Sequence, residues 1–123
     1  MYQFHNANAL GNFVNDCTVR AISVAEGKSW DTTYDELSEL AQEKGTLLDD
    51  VRFIEDYLDE RYSRVKFKST YVGELCEEFP KGTYLVTMRN HISLLKDGTI
   101  YDTFDCRDKF IWSVWEVKEG LID

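Results

Sequence analysis

Residues 91–104, "HISLLKDGTIYDTF", decide the fold. Two short apolar runs, 91–95 and 99–104, flank Lys96-Asp97-Gly98. Asp-Gly between such runs is a strong hairpin signal, because both residues tolerate the positive φ of a tight turn. A hairpin here predicts an antiparallel sheet in this half of the chain. Loop length then decides which side chains share a face. With a two-residue turn at Asp97-Gly98, Lys96 faces Thr99, Ser93 faces Asp102 and His91 faces Phe104. His91 and Asp102 become diagonal neighbours on one face, within side-chain reach. A three-residue loop with a bulge at Gly98 shifts the parity and separates them. The sequence leaves both loops open. With the shifted parity, the group orienting His91 must come from elsewhere, such as Asn90 or Asp105.

Working outward, 83–88 ("TYLVTM") follows the turn Pro80-Lys81-Gly82 and reads as a well-buried strand. Residues 110–117 ("FIWSVWEV") alternate and read as a last strand, and 64–68 ("RVKFK") as a short one. Trp112 and Trp115 could line a cleft, but packing against the sheet is the default reading. Four helices come before or between these strands. The first is predicted from near Asp16, a good N-cap residue, to near Gly27. Cys17, Ala21, Val24 and Ala25 form one stripe, with Val19 and Ile22 off it, so this helix is expected to be central and buried. The second follows Ser29 and repeats Trp30, Tyr34, Leu37 and Ala41 on one face, with Gly45 as the stop. The third, 49–61, turns Val51, Ile54 and Leu58 inward. The fourth, 71–79, uses Val72, Leu75 and Phe79, with Cys76 packing beside them. The predicted class is α+β. N-terminal helices, including a central helix carrying Cys17, pack on a C-terminal, mostly antiparallel sheet, and residues 1–123 form one domain.

Composition narrows the function. Apolar residues make up 43% of the 123, enough for a core without staples. The formal net charge is −9, which repels nucleic-acid phosphates and anionic membranes. It would favour a basic partner, although a solvated acidic surface is the plainer reading. No run of about 18 apolar residues exists, so no membrane span is expected. The start, "MYQFHNANAL", lacks a basic and an apolar region and is not expected to be a signal peptide. Three widely spaced cysteines, Cys17, Cys76 and Cys106, do not form a disulfide framework, which points to a reducing cytoplasm. With two histidines and no C-x-x-C pair, neither a zinc site nor another cofactor is expected.

Only His5 and His91 can serve as an imidazole base. His5 lies in an aperiodic lead-in, whereas His91 opens a strand beside a possible carboxylate. Cys17 is the first or second residue of its helix, where the dipole and free N–H groups stabilise a thiolate. His91 would take the thiol proton and later give it to the leaving group, and Asp102 would hold the ring. The Cys17 N–H and an upstream amide, Asn12 or Asn15, would bind the oxyanion. The plain alternative is that Cys17 fills the core as a small apolar residue. Arg20 is expected to pair with an acid on a neighbouring element, and Cys106 to be a bystander thiol.

"NDCTVRAI" (15–22), "EGKSWDTTYDEL" (26–37), "KGTYLVTMRNH" (81–91) and "KDGTIYDTF" (96–104) together resemble small papain-like cysteine peptidases, including bacteriocin-processing peptidase domains. They look closer still to a group of small phage- or prophage-encoded proteins. The resemblance covers most of residues 15–104. It implies a papain-like fold with Cys17 as nucleophile, His91 as base and Asp102 as third member. The peptidase pattern has a glutamine six residues before the cysteine; this sequence has Gly11 there and Asn12 beside it. The function expected is a phage-encoded cysteine hydrolase of peptide or isopeptide bonds, acting in the cytoplasm of a host on a protein or peptide substrate. Two readings stay open beside it: a thiol acyltransferase or deamidase using the same triad, and a silent papain-like module that binds a host protein.

Overall fold

The computed structural model describes residues 1–118. The 91–104 stretch forms the hairpin of β4 (His91–Lys96) and β5 (Thr99–Asp102), with Lys96 paired to Thr99. The loop therefore has two residues, and both are left-handed: Asp97 at φ 48° and Gly98 at φ 76°. The Asp97 carboxylate accepts the Gly82 N–H at 3.0 Å, which ties the turn to the start of β3 (Thr83–Met88). A Cβ on Gly98 would stand 3.1 Å from the Cys76 carbonyl oxygen as well as hold a positive φ. Gly98→Ala is expected to destabilise the protein by about 1–2 kcal/mol, read as a lowered urea midpoint at unchanged slope. An unchanged midpoint would mean that this turn is not pinned.

Six strands form one mixed sheet in the order β1-β5-β4-β3-β6-β2, with β1 at Tyr2–Phe4, β2 at Ser63–Val65 and β6 at Ser113–Val117. Every pairing is antiparallel except that of β1 with β5. The strand at the very N-terminus was not legible in the lead-in, because three residues carry no period of their own. Three predicted strands are shorter than expected. Residues 66–68, 103–104 and 110–112 lie outside them, although Phe110 makes an isolated bridge to Tyr71.

The helices are α1 (Cys17–Glu26), α2 (Trp30–Glu43), α3 (Val51–Arg61) and α4 (Val72–Glu78). Gly27 ends α1 in the left-handed conformation, its N–H returning to the Ser23 and Val24 carbonyls. Ser29 caps α2 through the Thr32 N–H, and Asp50 caps α3 through the N–H groups of Arg52 and Phe53. Asp16 stands at the N-cap of α1, but its carboxylate caps nothing. That departure from expectation leads to the site described below.

Two apolar clusters sit on opposite faces of the sheet. One joins α1, α2 and α3 to Leu85, Ile92, Leu94 and Trp115. The other joins α4 to Tyr84, Val86, Leu95, Ile100 and Val114. The alternation of Leu85 with Tyr84 and Val86 is the period of two expected of a strand buried on both sides. Two helix faces differ from expectation. Val51 and Tyr34 are exposed, the latter stacked on Trp30 at 5.1 Å. In α3, Ile54 and Leu58 are buried as expected, and Phe53 and Tyr57 join them on a packed face that leaves Val51 out. Among the described residues no helix is long and apolar enough to cross a membrane.

Candidate active site

The N-terminus of α1 meets the sheet where β4 begins and β5 ends, so Cys17, His91 and Asp102 gather at one place. Asp16 explains how. Its carboxylate accepts from Asn8 Nδ2 at 3.0 Å, from Trp30 Nε1 at 2.9 Å and from Arg20 Nε at 2.7 Å. Arg20 extends the network: its Nη1 donates to Asp102 Oδ1 at 3.0 Å and to Thr103 Oγ1 at 3.2 Å. One guanidinium thus clamps the start of α1 to the end of β5. The expected pairing of Arg20 with an acid on another element is observed. The double role, with Asp16 as the second acid, was missed. The signal was the i, i+4 spacing of Asp16 and Arg20, which puts opposite charges on one helix face. Because the Asp16 carboxylate points into this network, it does not compete for the first N–H groups of α1, those beside Cys17.

Asp102 is 3% exposed and fully engaged. Its Oδ2 accepts from Ser93 Oγ at 2.6 Å and lies 2.6 Å from His91 Nε2, while its Oδ1 takes the Thr103 N–H at 2.7 Å as well as Arg20. The two-residue turn thus places His91, Ser93 and Asp102 on one face. Holding Nε2 leaves Nδ1 as the ring nitrogen available to the Cys17 thiol. Phe104 packs on the ring, with centroids 4.7 Å apart.

The electrostatics follow. Burial pushes the Cys17 thiol up, but the neighbouring His91 ring, the Ile92 backbone and the Arg20 charge together outweigh it and lower its pKa. Burial disfavours the imidazolium of His91, yet Asp102, Cys106 and Cys17 favour it more, and its pKa is pushed up to about 11. Burial likewise works against the Asp102 carboxylate, and His91, Ser93 and the Thr103 N–H overcome it, so its pKa is lowered. Opposite shifts on a neighbouring thiol and imidazole favour the thiolate–imidazolium form, the reactive state of a cysteine nucleophile.

Cys17 and His91 line two adjoining cavities, of about 200 Å³ and about 450 Å³. Asn15 lines both, so this candidate residue shares the cleft with Cys17. Asn12 is not among the residues lining either. Its N–H is turned to Asn8 Oδ1 at 3.3 Å and its carbonyl accepts from Asn6, which fixes it within a local turn away from the cleft. His5 is exposed at the sheet edge, beside Tyr101.

Comparison with protein-family models, with curated proteins and with solved structures finds no match. What the site can do rests on its own geometry.

Two further residues sit differently from expectation. Cys106 is fully buried with its sulfur 3.9 Å from Asp102 Oδ2, so it packs behind the His91–Asp102 pair instead of standing apart. The bend after β5 brings it back, and no local pattern announces that. Trp115 packs in the core, its Nε1 donating to Asp59 at 2.8 Å, but Trp112 is half-exposed and lines the smaller cavity. The donor atoms of His91, Asp102 and Cys106 lie within 4.8 Å of one another, a spacing that metal ligands also show. A metal there would have to part Nε2 from the Asp102 carboxylate and reach two almost wholly buried ligands.

Proposed function

We propose that the protein is a cysteine hydrolase of peptide-type amide bonds, working by a Cys17–His91–Asp102 triad of papain-like design. The observation that carries the reading is the 2.6 Å contact of His91 Nε2 with a buried carboxylate, on a ring that lines the same cleft as the thiol at the first residue of α1. The Cys17 thiolate attacks the substrate carbonyl carbon, and the carbonyl oxygen takes the negative charge. The Cys17 N–H and the Asn15 amide are the donors for that oxygen. The His91 proton passes to the amine as the C–N bond breaks, leaving an acyl group on sulfur. Water then attacks the thioester while His91 takes its proton, and the acid departs. Asp102 keeps the ring oriented through both steps, and Arg20 keeps Asp102 in place. The sequence resemblance to papain-like peptidases points the same way.

A mixed peptide library incubated with the protein and read by mass spectrometry tests this. Cleavage that disappears in Cys17→Ala is expected. Products formed equally by Cys17→Ala would overturn the mechanism. Binding of peptides without any cleavage would instead favour a silent module of the same fold.

A further inference from the structure

We propose that the cleft takes a peptide segment with a large apolar side chain on one side of the reactive carbonyl and a carboxylate on the other. This rests on the reading of Cys17 as nucleophile and adds the substrate class.

The two cavities that meet at Cys17 and His91 have opposite character. The smaller is walled by Val51, Ile54, Met88, Ile92 and the half-exposed Trp112. Apart from the Cys17–His91 pair, which lines both cavities, its charged members are Asp49 and Glu55, both acids, so a carboxylate is repelled there and an apolar group is not. The larger holds Arg89 and Lys109 at its mouth. Among the described residues, neither has a carboxylate within 4.0 Å. The one acid lining that cavity is Asp16, which is 6% exposed and already holds Arg20, Asn8 and Trp30. Asp108 shares a further hollow with Arg89, Lys109 and Trp112, and pairs with neither cation. Exposed Phe13 and Phe104 flank the cationic side and offer apolar surface to an extended peptide.

This reverses the expectation from net charge. A protein of net charge −9 repels an acidic ligand at a distance. At physiological salt, however, charges act over only about 8 Å, so two exposed cations at contact decide what docks. The turn between β3 and β4 sets one of them. Asn90 adopts φ 56°, and this tight reversal places Arg89, two residues before His91, on the lining of the larger cavity. The carboxylate fitting the cations belongs to an acidic residue or to the C-terminus of a peptide.

Four chloroacetyl amino-acid amides, of Gln, Leu, Glu and Lys, test the assignment through their alkylation rates at Cys17. A fifth probe, chloroacetyl-Gln with a free C-terminal carboxylate, separates the two sources of charge. Every rate is divided by that of the Gln amide on the same variant. The Glu amide, the free-acid probe or both are expected to react at least about fivefold faster than the Gln amide, and the Lys amide no faster. Arg89→Ser/Lys109→Ser should abolish the carboxylate preference and keep the Leu preference. Val51→Ser, at a residue lining the smaller cavity and neither hollow that holds the cations, should weaken the Leu preference and keep the other. No carboxylate preference, or one that survives loss of both cations, overturns the proposal. Because only ratios are compared, that failure differs from slow labelling by the Gln amide itself, which would count against the activated thiol.

Discussion

Replacing His91 by alanine is expected to slow alkylation of Cys17 at about pH 6 by an order of magnitude or more, since the thiolate is the reactive form and the imidazole is its main support against burial. Burial is the largest influence on this thiol and acts to raise its pKa. The imidazole provides the main opposing effects, through its proton and its charge. Without it, the Ile92 backbone and the distant charge of Arg20 are left against burial, and the thiol should titrate well above its present range. Cys76 and Cys106 are both buried, so the Cys17 peptide can be followed separately by mass spectrometry. Urea-unfolded samples of the two proteins should label Cys17 at equal rates, which separates the effect from intrinsic reactivity. A change of less than about threefold in the folded state would mean that His91 does not activate the thiol.

Arg20→Met is expected to carry the largest loss of stability, about 3 kcal/mol or more, which in a protein of this size lowers Tm on the order of 10 °C. The guanidinium lies between two carboxylates that are 6% and 3% exposed. Removing it leaves both buried, held by neutral donors and, for Asp102, by His91. The pH dependence has a definite sign. Burial acts against both carboxylates, but their hydrogen-bond partners outweigh it, and both pKa values are lowered in the folded protein. A lowered carboxyl contributes stability that is whole above its unfolded value near 3.8 and is lost as pH falls below it. The stability gap between the protein and Arg20→Met should therefore be full above about pH 5 and narrow toward pH 2. Urea unfolding across this range measures it. A gap that is small or independent of pH would mean that the clamp holds neither acid. Loss of Cys17 reactivity in Arg20→Met at temperatures where it stays folded would show that Arg20 supports the thiolate, through Asp102 and through its own charge.

What the sequence revealed about the site depended on how far apart the interacting residues lie. The 91–104 hairpin was legible because Asp97-Gly98 and the two apolar runs are local, and the parity of a two-residue turn then brought His91 to Asp102. The helix start at Cys17 was legible from Asp16 and from the apolar pattern after it. Asp16 takes the N-cap position as expected, but its carboxylate turns elsewhere. Its real partners, Asn8 and Trp30, are set by tertiary packing and leave no mark at position 16. β1 depends wholly on pairing with β5, almost a hundred residues later, and three residues have no period to reveal it. Trp112 and Trp115 look alike in sequence. The strand begins at Ser113, however, so Trp115 alone takes an inward position and Trp112 falls on the rim of the cleft. Asn12 and Asn15 were equivalent candidates until the Asn6–Asn12 turn fixed one of them away from the thiol. Charge was read as a sum, and a sum conceals that Arg89 and Lys109 stand together at the cleft.

The activated thiol is the central claim, and the pH profile of Cys17 alkylation in the unaltered protein tests it most directly. Iodoacetamide rates measured from about pH 4 to 10 should rise through a midpoint clearly below the ordinary cysteine value near 8.5, with fast labelling already present at pH 6. A single midpoint at or above 8.5 would show a buried thiol that the imidazole does not ionise, and would contradict the assignment of Cys17 as nucleophile.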